Sequence, residues 1–85
     1  MARGTVRYWA AAKDAAGVAE EPFEAVTLGD LVAKITLKYE NPDLARVLGL
    51  SSFLVNGSPA GTRDPHAVEI PEGATVEVLP PFAGG

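Results

Sequence analysis

The 85-residue sequence predicts an α+β domain: a mixed sheet of four to five strands, covered on one face by one main helix and a second short helix. Three observations predict it. Runs rich in β-branched and aromatic residues stand near both ends of the chain, apolar residues at helical spacing fill the middle, and Gly, Pro and Asn mark the breaks between them. With 47% apolar residues, the chain suits a single core that buries roughly 60–65% of its unfolded surface. A second domain does not fit, and no internal repeat or low-complexity tract is present.

Taken in order, Thr5-Val6-Arg7-Tyr8-Trp9-Ala10 reads as a first strand. Residues 11–16 are Ala-rich and suit a short helical turn, closed by Gly17 where a left-handed cap is usual. Residues 20–26 read as a second strand, and Pro22 places it at a sheet edge because proline has no N–H to give a ladder. Thr27 then offers its hydroxyl as an N-cap, with Asp30 three residues on. Leu28, Leu31, Val32, Ile35 and Tyr39 follow at helical spacing, with Lys34 and Lys38 outside the stripe; this is the main helix. Gly29 in its first turn works against it. Asn41-Pro42 restarts the pattern as cap and first residue of the second helix, with Leu44, Val47 and Leu48 inward and Gly49 stopping it. Residues 52–55 form a strand that enters a tight turn at Asn56-Gly57, a pair that accepts positive φ. After an irregular segment, residues 67–70 read as a short fourth strand, Pro71-Glu72-Gly73 as a turn, and residues 75–79 as the last strand. First and last strands are expected side by side and parallel, around a helical crossover.

Strand alternation then sorts the side chains. If Val6, Tyr8, Val76 and Val78 face the helix, Arg7, Trp9, Glu77 and Leu79 face the opposite way. Trp9 and Leu79 become exposed apolar neighbours rimmed by Arg7 and Glu77, the composition of a partner interface. A slip of one residue would exchange Trp9 with Tyr8 and make the tryptophan core.

Composition excludes several functions. The chain has no Cys and one His, so a disulfide framework, a thiol nucleophile and a self-contained zinc site are all excluded, and no metal site is expected. Met1-Ala2-Arg3-Gly4 lacks an apolar leader and no stretch approaches a membrane span, so the expected setting is cytoplasmic, with no membrane partner. A net charge of −4 argues against nucleic acid. It suits a partner with a basic surface, or simply a soluble small domain. His66 lies in a turn-rich segment and is assigned no role; Asp30 is a cap rather than an acid catalyst.

The chain ends in Leu79-Pro80-Pro81-Phe82-Ala83-Gly84-Gly85. Residues 1–79 are expected to be the folded domain and residues 80–85 a flexible tail. Pro80 and Pro81 end sheet pairing and stiffen the exit, and Gly84 and Gly85, without Cβ, pass a narrow channel in conformations that other residues disfavour. Fully extended, residues 80–85 reach about 20 Å, enough to carry a terminal carboxylate deep into another protein. A carboxylate is a poor electrophile and must first acquire a leaving group, such as an adenylate, before its carbonyl carbon can accept a nucleophile.

The order of elements, the start Val6-Arg7-Tyr8-Trp9-Ala10-Ala11 and above all the Leu-Pro-Pro-Phe-Ala-Gly-Gly ending resemble the molybdopterin synthase small-subunit family, the ubiquitin-like β-grasp sulfur carriers of MoaD/ThiS type. The resemblance spans about residues 5–85, and only the tail is strongly specific. It implies a non-catalytic sulfur-donor subunit with no bound cofactor. A ubiquitin-activating-like adenylyltransferase spends ATP on the Gly85 carboxylate, and a sulfurtransferase step makes a covalent C-terminal thiocarboxylate. The tail, Pro80, Pro81, Phe82, Ala83 and Gly84, then enters the large catalytic subunit of molybdopterin synthase, where Gly85 donates sulfur to a cyclic pyranopterin to build the dithiolene of molybdopterin. Trp9, Leu79 and Phe82 would make the apolar contact. Sulfur carriers for thiamine or cysteine biosynthesis end in the same Gly-Gly, and a ubiquitin-like protein modifier would use the same carboxylate on lysine; these remain open alternatives.

Overall fold

Alternation of apolar and polar residues builds the first strand, β1 (Ala2–Tyr8), which buries Val6 and Tyr8 and leaves Arg3 exposed. In the computed structural model, which describes residues 1–81, it is followed by α1 (Ala10–Ala16), β2 (Glu20–Ala25), α2 (Leu28–Tyr39), α3 (Pro42–Leu50), β3 (Ser52–Val55), β4 (Ser58–Pro59), a 3-10 turn at Pro65–Ala67 and β5 (Thr75–Leu79). The strands form one mixed sheet in the order β2-β1-β5-β3-β4. β1 and β5 are parallel neighbours, as expected, with Val6 opposite Val76 and Tyr8 opposite Val78; the other pairs are antiparallel. Pro22 sits on the edge strand opposite Thr5, whose N–H donates to the Ala74 carbonyl (3.0 Å) on the far side, so the proline removes nothing from the ladder.

The main helix has its expected limits because both ends are capped. Thr27 Oγ1 accepts the Asp30 N–H (3.1 Å), and the Asp30 carboxylate accepts the Val26 N–H (3.0 Å) with Lys34 Nζ 3.3 Å away. The Val26 N–H, assisted by Lys34, holds the Asp30 carboxyl below its ordinary value. Gly29 is explained by a close approach: a Cβ there would lie 2.5 Å from the His66 imidazole, so glycine lets that ring close on the helix. At the other end Glu40 adopts φ 48 and donates its N–H to Thr36 O (3.1 Å). Asn41 then caps α3, accepting the N–H groups of Asp43 (2.9 Å) and Leu44 (3.4 Å), while its amide donates to Ala15 O (3.1 Å) and ties α3 to α1. The core lies between this helical layer and the sheet, with Tyr8, Leu28, Leu31, Leu44, Val6, Val76 and Val78 its largest buried side chains.

Four expectations need correction. β1 begins at Ala2 and ends at Tyr8, rather than spanning residues 5–10, because residues 2–4 pair with Phe23–Ala25 and the Trp9 carbonyl already accepts the N–H of Ala12 (3.0 Å). The Ala-rich segment is consequently a full helix rather than a turn, with Ala12 and Ala16 buried and Gly17 closing it at φ 79. Gly49 does not stop α3. The helix runs on to Leu50 and ends where Ser51 turns extended, its hydroxyl donating to Val47 O (2.7 Å). Residues 67–70 are not a sheet strand: Val68 accepts the Leu28 N–H (2.9 Å) and Ile70 donates to Val26 O (3.1 Å), so this segment straps the start of α2. The outermost strand is instead β4, reached through Asn56 (φ 51) and Gly57 (φ 81), a turn whose Asn56 Oδ1 also accepts the Thr75 N–H (2.9 Å).

Candidate functional site

Among the described residues, the helices cover one face of the sheet and leave the other open. On the open face Arg7 lies opposite both Glu20 of β2 and Glu77 of β5, and Leu54 of β3 lies on the other side of Glu77. The Arg7 guanidinium sits 3.6 Å from Glu20, 3.9 Å from Glu77 and 5.0 Å from the centre of the Trp9 ring, a cation–π stack held by two carboxylates. Trp9 is 42% exposed while Tyr8 is 2% exposed, so the register that puts the tryptophan outside is the one adopted. Leu79 is half-buried at the end of β5, and the Trp9 N–H donates to Val78 O (3.2 Å), which brings Trp9 beside that end. Immediately after Trp9, Ala10 takes φ 49 and swings the chain off the sheet into α1.

The register is locked from the other face. Tyr8 Oη donates to Glu21 Oε2 (2.6 Å), Tyr39 Oη donates to the same oxygen (2.7 Å), and Lys38 Nζ pairs with Glu21 Oε1. Desolvation raises the Glu21 carboxyl, but the hydrogen bonds from Lys38, Tyr8 and Tyr39 outweigh it and hold the group below its ordinary value. Burial, and then the Glu21 charge, push the Tyr8 phenol far up and the Tyr39 phenol up to about 12. The cluster consumes its polar groups internally and pins Tyr8, so that its neighbour Trp9 faces out.

The structure therefore brings together Arg7, Trp9, Glu77 and Leu79 of the expected surface. Pro80 is buried and Pro81 exposed at its edge; Phe82, Ala83, Gly84 and Gly85 lie outside the described residues. Two contributors were missed. Leu54 was legible as the alternate position of Ser52-Phe53-Leu54-Val55, once β3 is known to flank β5; Glu20 carried no signal short of its pairing with Arg7. A cleft of about 510 Å³ between α2, α3 and residues 61–66 is lined by Val32, Leu48 and Phe53, with His66 its one titratable side chain. Among the described residues no group of three or more His, Cys, Asp or Glu is arranged to hold a metal ion, and no helix is long and apolar enough to cross a membrane.

With a β-grasp arrangement and an open sheet face established, the relatives become informative. The model of the ThiS family matches residues 6–85, nearly the whole chain. The chain belongs to the ThiS family. Among solved structures, this ThiS-family chain is similar to the small archaeal modifier protein 1 of Methanosarcina acetivorans, at 25% identity and TM-score 0.83 over 100% of this chain and 98% of that one. It is also similar to a Pyrococcus furiosus protein assigned as molybdopterin converting factor subunit 1, at 25% identity and TM-score 0.75 over 96% and 100% of the two chains. A complex of subunits 1 and 2 of the molybdopterin-converting factor from Helicobacter pylori shares the fold at 23% identity and TM-score 0.67, over 98% and 99%. No curated protein sequence matches significantly. The fold is that of ubiquitin-like β-grasp proteins, and the chain is a ubiquitin-like sulfur carrier or modifier.

Proposed function

We propose that this chain is the sulfur-donor subunit of a molybdopterin synthase, with Gly85 as the loaded residue and the open sheet face as the docking surface. The observation that carries this reading is the sequence after β5: a buried Pro80 anchors the root of a tail ending in Phe-Ala-Gly-Gly, beside the Trp9 and Leu79 surface. An adenylyltransferase converts the Gly85 carboxylate to an acyl-adenylate at the expense of ATP. Sulfur from a sulfurtransferase displaces AMP at the carbonyl carbon. The thiocarboxylate then enters a large catalytic subunit and delivers sulfur to a cyclic pyranopterin, and two deliveries complete the dithiolene. This chain holds no cofactor in the cycle; it positions one atom. Glycine at 84 and 85 lets the backbone thread a narrow channel, and the prolines reduce the freedom lost on entry. Trp9, Leu79 and Phe82 supply the apolar contact with the large subunit, and Arg7 and Glu77 rim it. The P. furiosus relative supports this pathway.

The likeness to the small archaeal modifier protein 1 favours a second reading, in which the same activated carboxyl is joined to lysines of other proteins. Reconstitution separates them. The thiocarboxylated chain, mixed with a molybdopterin synthase large subunit and the cyclic precursor, is expected to yield the dithiolene; failure there with thiazole or cysteine formed instead moves it to a sister pathway, and conjugates on lysine without dithiolene make it a modifier. Adding one unprocessed residue after Gly85 is expected to abolish sulfur delivery, and full activity of that version would reject the assignment of Gly85.

A further inference from the structure

The sequence has three lysines, and the fold uses two of them. Lys34 donates to Glu24 O (2.9 Å) and lies 3.3 Å from Asp30, and Lys38 pairs with Glu21. The third, Lys13, is exposed on α1, and among the described residues its side chain makes no ion pair or hydrogen bond. Its position matters more than its freedom. Tyr8 stands opposite Val78, and the Lys13 N–H donates to Trp9 O (3.3 Å), so Lys13 sits one helical turn from the point where β1 and β5 end together. With strands about 4.8 Å apart and a turn rising about 5.4 Å, the Lys13 Cα lies about 10 Å from the root of the tail. Four residues, 82–85, would span about 13 Å if fully extended, and two of the four are glycine, which has access to the widest range of backbone conformations. The N-terminal amine lies at the far end of the seven-residue β1.

We propose that Lys13 is an intramolecular acceptor site for the acyl group of Gly85. The inference rests on the reading that Gly85 is activated. Once it is, the neutral Lys13 amine attacks the Gly85 carbonyl carbon; the new C–N bond forms as the bond to the leaving group breaks. The leaving group, AMP from an adenylate or a thiol from a thioester, departs with the electron pair, and the ammonium proton passes to water. The product is a looped chain closed by an isopeptide bond between Gly85 and Lys13, one water lighter than the free acid and no longer able to take up sulfur. A short tether gives the amine an effective concentration in the millimolar range, so the loop forms ahead of coupling to a second molecule at micromolar protein. Holding the tail in a partner's channel prevents this loss, which gives docking a protective role besides a delivering one.

The test supplies activation chemically and so stands apart from the question of which enzyme activates the chain in cells. The full chain, prepared as a C-terminal mercaptoethanesulfonate thioester by intein cleavage, is held at mildly alkaline pH without added amine, followed by intact mass and mapped by fragmentation. The looped product linked at Lys13 is expected, at a rate independent of protein concentration, with thioester loss at least tenfold faster than in Lys13→Arg. Thermal melts of both versions check that the surface substitution leaves the fold intact. Hydrolysis alone, a link to Lys34, Lys38 or the N-terminal amine, or dimers whose yield rises with concentration would overturn the proposal while leaving the sulfur-carrier reading to its own reconstitution test.

Discussion

Among the described residues, three that are not glycine hold positive φ, and each marks a junction: Ala10 between β1 and α1, Glu40 between α2 and α3, and Asn56 in the β3-β4 turn. Asparagine tolerates that region, whereas alanine and glutamate are strained there by about 1–2 kcal/mol. Glu40 is exposed and, among the described residues, its one hydrogen bond is the backbone cap to Thr36, so Glu40→Gly should stabilise the fold by about 1 kcal/mol and raise Tm by about 4–8 °C. An unchanged melting temperature would mean that the left-handed cap is not strained. Trp9 is the opposite case, a residue whose exposure makes no contribution to the core. Trp9→Ala is expected to weaken binding of the large subunit about tenfold or more while leaving Tm nearly unchanged, as titration calorimetry and a thermal melt would show.

At the scale of elements, β1, β2 and α2 are joined by the Glu21 cluster. Glu21 has a side chain only 12% exposed and receives two phenols and an ammonium, so Glu21→Leu, which leaves the buried Tyr8 hydroxyl without its acceptor, should cost about 1–3 kcal/mol. The pH dependence has two limbs. Because the folded state lowers the Glu21 carboxyl, its contribution is present above the ordinary carboxylate value of 4.5 and is lost as pH falls through the lowered one. The two phenols are raised, so their contribution is complete below pH 10 and is lost as pH rises from there, through about 12 for Tyr39. Chemical denaturation across pH should show both limbs, and Glu21→Gln should flatten the acid limb; an unaltered acid limb would assign it to other carboxylates. The strap of residues 67–70 is a second joint between elements, since its Val68 carbonyl and Ile70 N–H bond to Leu28 and Val26 and the His66 ring just before it covers Gly29.

For the whole molecule, the sheet has two unlike faces, one covered by helices and one presenting Trp9, Leu54 and Leu79 among Arg7, Glu20 and Glu77. Leu54→Ala is expected to weaken large-subunit binding together with Trp9→Ala and non-additively, if both meet one partner patch; strictly additive losses would place them in separate contacts. The net charge of −4 adds a long-range prediction. Association with a basic partner should slow as salt is raised while dissociation changes little, and an on-rate indifferent to ionic strength would reject a basic docking groove.

Local chemistry carries far in this chain. Thr27 with Asp30 and Asn41 before Pro42 are side chain-to-backbone devices acting over two to four residues, and Asn56-Gly57 accepts the positive φ of a tight turn, so the limits of α2, the start of α3 and the tight turn were readable without any partner element. The inward face of β1 and β5 was readable too, because alternation needs only a period of two. What sequence could not decide was every choice made between distant segments. Val68 and Ile70 have the composition of a strand, yet the Val68 carbonyl and the Ile70 N–H pair with Leu28 and Val26 rather than with a neighbouring strand, and Ser58–Pro59 has a weaker strand composition yet pairs with β3 because the Asn56-Gly57 turn delivers it there. Gly29 looked like a flaw in a helix until His66, far away in sequence, was placed against it. Leu54, Glu20 and Arg7 became one surface only through strand order. A hydrogen bond or contact across many residues depends on where the core brings the chain together, and that is a property of the assembled layers rather than of any window of sequence.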